Sequence, residues 1–185
     1  FIESNLKSSN IAVYDHMQCF DKRNCIYQEA QAIFYFGNKN GNFKDDPTII
    51  QKQIERYLHD SYPEQNGLIS SGVILRNHNS TDVIDCMEHW WNELKYGSKR
   101  DQLSFNYSAW KTSLTFNWIN GDIRDNNFVK LVGKHTAKDK SNKFQPIDVE
   151  YFLNMELAGG GGGKEIVKLD GKLTTVRDVV DYFSS

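Results

Sequence analysis

Proline, cysteine and methionine are scarce in this chain, with three of each in 185 residues. So little proline excludes a proline-rich linker or a collagen-like repeat. The cysteines, Cys19, Cys25 and Cys86, form an odd and sparse set. They exclude a disulfide framework, suit a reducing compartment and lack the paired spacing of a zinc site. No Cys/His pairing gives any of them the setting of a nucleophile. An excess of one charge is missing too: 22 Lys and Arg face 24 Asp and Glu, a net of -2. That balance excludes nucleic acid or an anionic membrane as a partner held by charge alone. No apolar run approaches the roughly 20 residues of a membrane-spanning helix, and no signal peptide is visible, so a cytoplasmic protein is expected. The first residue is Phe1 rather than Met, which raises the expectation of a piece of a longer polypeptide.

What is present is the composition of a folded domain: 39% hydrophobic, 13% aromatic, with a mean hydropathy of -0.61. A chain of this length can bury one core without a metal or disulfide staple. Residues 1–10 look like the tail of a helix. The apolar runs 11–14 and 72–76 read as buried strands, and 115–119 as a strand by alternation. Between them apolar residues recur at the helical period. Ile26, Tyr27, Ala30, Ile33 and Phe34 mark a helix over 23–36, followed by a loop at 37–42. Asp46 and Pro47 open a second helix with the stripe Ile50, Ile54, Tyr57 and Leu58. A Trp-rich helix over 82–96 carries Val83, Ile84, Met87, Trp90, Trp91 and Leu94 on one side. Ser98 reads as the cap of the next helix, with Leu103, Tyr107 and Trp110 inward. Strands alternating with amphipathic helices predict an α/β layered fold.

The organisation expected is one domain over 1–157, with an extended stretch at 128–135 and a short helix at 151–157. A linker follows at 158–163, most of it an unbroken glycine run that fits no regular element. Residues 164–185 form an appendage or the start of a further segment, with a hairpin signal at Asp170-Gly171 and a helical pattern from 175 onward.

The chemistry-bearing residues gather in few places. Ser98-Lys99-Arg100-Asp101 fits a capping box, in which the acid at the third helical position satisfies backbone N–H groups. Arg100, Asp101 and Gln102 also fit a polar ligand site. His16 follows strand 11–14, and ligands collect at the carboxyl ends of strands in open α/β sheets. Arg76 and His78 follow strand 72–76 in what reads as the same topological position. Arg23 and Glu29 suit either a surface ion pair at a helix start or a substrate contact. Of Trp90 and Trp91, one belongs in the core and the other can stack on a sugar ring.

Three blocks carry a resemblance: DHMQCFDKRNCIYQEA (15–30), SGVILRNHNS (71–80) and MEHWWNELKYGSKRDQLSFNYSAWK (87–111). In this order they resemble a family of glycosyltransferases of plant and bacterial polysaccharide synthesis, formerly a domain of unknown function. The resemblance covers about residues 1–135, the C-terminal two thirds of that domain. It implies an α/β fold, the Rossmann-like α/β/α sandwich of A-type nucleotide-diphospho-sugar transferases, here lacking its N-terminal part. It also implies sugar transfer from a nucleotide-diphosphate donor, a UDP-sugar foremost, to a glycan or other hydroxyl acceptor, with Mn2+ or Mg2+.

Under the resemblance Asp101 is the catalytic carboxylate, and Arg100 and Gln102 bind substrate. His16, Arg23, Arg76, His78, Trp91 and Lys134 join them as substrate contacts. A late histidine completes the metal shell in several transferases of this fold, which assigns His135 to the metal. The family's upstream aspartate motif is missing, although Leu169-Asp170-Gly171-Lys172-Leu173 is superficially similar to it. That gap leaves open a second reading, a non-catalytic carbohydrate-binding or scaffolding remnant. A hydrolase using Asp101 with Glu29 is a third class, with nothing in the spacing to set two carboxylates at a hydrolytic separation.

Overall fold

The computed structural model describes residues 1–19, 21–41, 43, 45–128, 146, 148–149, 152, 156–157, 166–169 and 172–175. Its centre is a three-stranded sheet of β1 (Ile11–Asp15), β2 (Ile69–Arg76) and β3 (Asn117–Ile119). The order is β2-β1-β3, with β1 antiparallel to β2 and parallel to β3. Being central, β1 is buried from Ile11 to Tyr14. The expectation of a buried strand at 72–76 needs correction. β2 is an edge strand, buried only at Ile69 and Ser70, and its outer part is half-buried or exposed.

The β1–β2 ladder is irregular in its middle. Val13 pairs with Ile74, but Tyr14 pairs with Ser70. Ser71, Gly72 and Val73 therefore have no partner on β1, and the edge strand bulges outward there.

Helices α1 (Ile2–Asn5), α2 (Ile26–Asn40), α3 (Pro47–His59), α4 (Thr81–Tyr96) and α5 (Phe105–Lys111) accompany the sheet. One sheet face, with Ile11, Val13 and Ile69, packs on Val83 and Cys86 of α4 and on Phe105 and Ala109 of α5. The other face, with Ala12, Tyr14 and Ile119, meets Leu6 and Ile123. α2 and α3 form a separate apolar cluster with Tyr62, Leu68, Leu103 and Tyr107. The result is a mixed α/β domain.

α3 starts where local chemistry directs. Asp46 Oδ1 accepts from the Thr48 N–H at 2.8 Å, and Pro47 is the first residue of α3. Ile50, Ile54 and Tyr57 of its stripe are buried. α2 departs from expectation at both ends: it begins at Ile26 and runs to Asn40, through residues that composition marks as loop. A Cβ at Gly37 would stand 2.4 Å from the Phe43 ring, so the ring folds back onto the bare backbone. That packing, with Phe34 at 5.9 Å, outweighs the helix penalty of glycine, about 1 kcal/mol.

Ser98 is likewise not a helix cap. Its hydroxyl donates to Asp45 Oδ2 at 2.6 Å, and a 3-10 turn (Asp101–Leu103) intervenes before α5. On α4, Ile84 and Trp91 point outward instead of joining Met87 and Trp90. Trp110 of α5 is also exposed.

Near the C-terminus β4 (Glu156–Leu157), β5 (Ile166–Leu169) and β6 (Lys172–Thr175) form a second antiparallel sheet. β5 and β6 pair antiparallel with Leu169 opposite Lys172, in keeping with the hairpin signal, while Glu156 and Leu157 are strand rather than helix. The glycine run, the stretch at 129–135 and residues 176–185 lie outside the described residues.

Candidate functional site

A cavity of about 590 Å³ opens where β1 ends and β2 begins. This is the carboxyl end of the parallel pair β1 and β3, the location where open α/β sheets gather ligands. Five segments build its wall. His16, Cys19, Asp21 and Arg23 follow β1. Glu29, Ala32, Ile33, Phe36, Gly37 and Asn40 come from α2. Ser70 and the bulged Ser71, Gly72 and Val73 come from β2. Arg100 precedes the 3-10 turn and Gln102 lies within it, and Ile123 and Arg124 follow β3.

Charge pairing fixes the left side of the site. Arg23 is buried; its Nε donates to Glu29 Oε2 at 2.7 Å, and its Nη2 donates to Asp21 Oδ2 at 3.1 Å. Arg124 reaches Asp21 Oδ1 at 3.2 Å and Asp122 Oδ1 at 3.3 Å. Burial alone would raise the Asp21 carboxyl, but the Arg23 charge and His16 overcome it and hold the group below its usual range. His16 moves down from 6.5, first because it is buried and then because Arg23 stands beside it. Cys19, bonded to Ser70 across 3.0 Å, is raised by burial and is no nucleophile.

The right side rests on hydrogen bonds. Asp101 Oδ2 accepts from Ser71 Oγ at 2.5 Å, and its Oδ1 accepts from the Gln102 N–H at 3.0 Å. Gln102 Nε2 donates to the Ile69 carbonyl at 2.9 Å. Arg100 makes no ion pair among the described residues, and its Nε is buried without a partner. Leaving such a donor unpaired costs about 1–3 kcal/mol.

Of the residues singled out from sequence, the structure brings together His16, Arg23, Glu29, Arg100 and Gln102. Asp101 stands behind the wall, bonded to two wall residues. Arg76 and His78 are not in the same topological position as His16. β2 runs antiparallel to β1, so Arg76 pairs with Ile11 at the opposite end of the sheet. Trp91 is 62% exposed on α4 and lines no part of the cavity. Lys134 and His135 lie outside the described residues.

Sequence reasoning missed Asp21, Ser71 and Arg124. Asp21 lies inside the block 15–30, two residues from Arg23, and only that proximity marked it. Arg124 sits in an Asn/Asp/Gly-rich stretch whose composition reads simply as loop.

A divalent cation does not fit the described site. No three His, Cys, Asp or Glu side chains converge among the described residues, and both wall carboxylates already face guanidinium groups. Three arginines against two carboxylates instead favour an anion.

Fold and site define a mixed α/β domain that presents a guanidinium-rich cavity at the carboxyl ends of its parallel strands. The chain belongs to the TOD1/MUCI70 glycosyltransferase-like domain family, whose sequence profile matches residues 4–136. All three blocks that carry the resemblance fall within that span. Comparison with curated proteins and with solved structures gave no significant match. Among the described residues no helix is long and apolar enough to cross a membrane.

Proposed function

We propose that this domain transfers a sugar from a nucleotide-diphosphate donor, a UDP-sugar foremost, to a glycan or other hydroxyl acceptor. We read its fold as that of a Rossmann-like, A-type transferase. Family membership supports glycosyl transfer in general, and the observation that carries the donor is Arg100. Arg100, in no ion pair among the described residues, shares a cavity of about 590 Å³ with Arg124 and His16.

As the bond to the donor sugar breaks, negative charge grows on the leaving diphosphate. Preorganised N–H donors in a partly enclosed site stabilise that charge, and Arg100 and Arg124 are placed to do so. Gln102, anchored through its Nε2, keeps Oε1 for a sugar hydroxyl. Asp101 acts on transfer by holding Ser71 and Gln102 in place. The ligand we assign to Mn2+ or Mg2+, His135, is outside the described residues, and a metal held there would supply charge neutralisation beside that of the arginines.

Calorimetric titration with UDP and UDP-sugars, with and without Mn2+, tests the reading. UDP is expected to bind the whole chain, and Arg100→Ala to weaken that binding at least tenfold, the scale of one charge-assisted hydrogen bond. Glycan binding with no nucleotide binding would replace this reading with a carbohydrate-binding remnant.

A further inference from the structure

His16 is 4% exposed, and its Nε2 lies 3.2 Å from Arg23 Nη2. A guanidinium can only donate, so Nε2 is the acceptor, and the proton of the neutral ring resides on Nδ1. Arg23 is itself held in place by Glu29 and Asp21. Burial and the Arg23 charge both disfavour imidazolium, so the neutral ring is the resting form.

Nδ1 has no partner among the described residues, and neither does Arg100 Nε in the same cavity wall. Both atoms are N–H donors. Buried polar groups in folded proteins are almost always paired, so two orphaned donors on residues that line one cavity point to a ligand that offers acceptors and draws these side chains toward it. The remaining orphan, the Tyr14 hydroxyl, can donate or accept and lies outside the cavity lining, so it does not bear on that choice.

We infer that Arg23 is a positioning residue that sets His16 as a neutral Nδ1–H donor, and that His16 and Arg100 together receive an acceptor-only anionic oxygen, of a phosphate or a carboxylate. This rests on the cavity being the donor-substrate site. The same geometry removes His16 as a general base, because the one lone pair of its neutral ring is held by Arg23. Any deprotonation of the acceptor hydroxyl falls to another group.

Long-range proton–nitrogen NMR of the whole chain, labelled with 15N-histidine at neutral pH, reads the tautomer directly. His16 is expected in the Nδ1–H form, retained in Arg23→Lys and lost to a mixture in Arg23→Met. Inorganic pyrophosphate is expected to shift the Nδ1 resonance, and Arg100→Ala to weaken that response about tenfold. A shift with glucuronate alone assigns the oxygen to a carboxylate instead. Since Arg23→Met leaves Glu29 without its guanidinium and can unfold the domain, the wild-type spectrum decides on its own. An Nε2–H or imidazolium pattern, or no response to either anion, overturns the inference. None of these readouts involves sugar transfer. A protein with the expected spectra that transfers nothing overturns the proposed function alone, and an active transferase with His16 in the Nε2–H form overturns this inference alone.

Discussion

Ser71 Oγ and Asp101 Oδ2 stand 2.5 Å apart, which ties the bulge of the edge strand to the turn between Arg100 and Gln102. Two cavity walls distant in sequence are thereby held in register. Asp101→Asn and Ser71→Ala should each lower kcat/KM, by up to about a hundredfold, because small misplacements of positioning groups cost that much. The double variant should lose little more than either single one, since both cut the same link. Losses that multiply would show that Asp101 acts on substrate independently of Ser71.

Glu93 joins α3 to α4. Its Oε2 accepts from Arg56 at 2.6 Å, Tyr57 at 2.6 Å and Gln53 at 3.1 Å, with the carboxylate side chain 8% exposed. Glu93→Ala strands the buried Tyr57 and Gln53 groups and should cost about 3 kcal/mol in urea unfolding. Glu93→Gln keeps an acceptor and should cost less. Equal losses would mean that packing, not the acceptor, accounts for the effect.

Stability should depend on pH through His16 and His89, both lowered from 6.5, first by burial. A histidine with a depressed folded-state pKa binds its proton more readily when unfolded. Stability is therefore full above 6.5 and falls as pH drops below it, levelling off under the folded-state pKa. Denaturant titrations across that range should show the decline, and His16→Gln should flatten part of it. An unchanged slope in that variant would assign the effect to His89.

Gly37→Ala would ordinarily stabilise a helix by about 1 kcal/mol. Here the added methyl meets the Phe43 ring at 2.4 Å. The variant should lower Tm instead, and combining it with Phe43→Ala should remove the clash while leaving the cost of the lost ring. Thermal unfolding followed by circular dichroism checks both.

Local signals were legible where they were self-contained. The Asp46-Pro47 start of α3, the apolar run of β1 and the Asp170-Gly171 hairpin each depend on neighbouring residues alone. The site was half legible. His16, Arg23, Arg100 and Gln102 emerged because they follow strands or sit in a family block. Arg76 and His78 were misplaced because strand direction is set by pairing with a distant partner, which a single run of apolar residues does not encode. The full length of α2 was hidden for a related reason. Packing of the Phe43 ring on Gly37 overrides the local preference of glycine and asparagine for loop.

The three unpartnered residues of β2 divide the strand's labour. Ile74–Arg76 and Ile69–Ser70 are enough to zip the edge onto β1, whereas Ser71, Gly72 and Val73 contribute nothing to that ladder. Excising them would leave a plain hairpin-like edge with its hydrogen bonds intact. It would also delete a side of the cavity and the hydroxyl that anchors Asp101. Ladder and cavity wall thus share one strand and overlap only at Ser70. Length variation at this spot would reshape the cavity while sparing the ladder, at the cost of the contact Val73 makes with the Ala12, Tyr14 and Ile119 cluster.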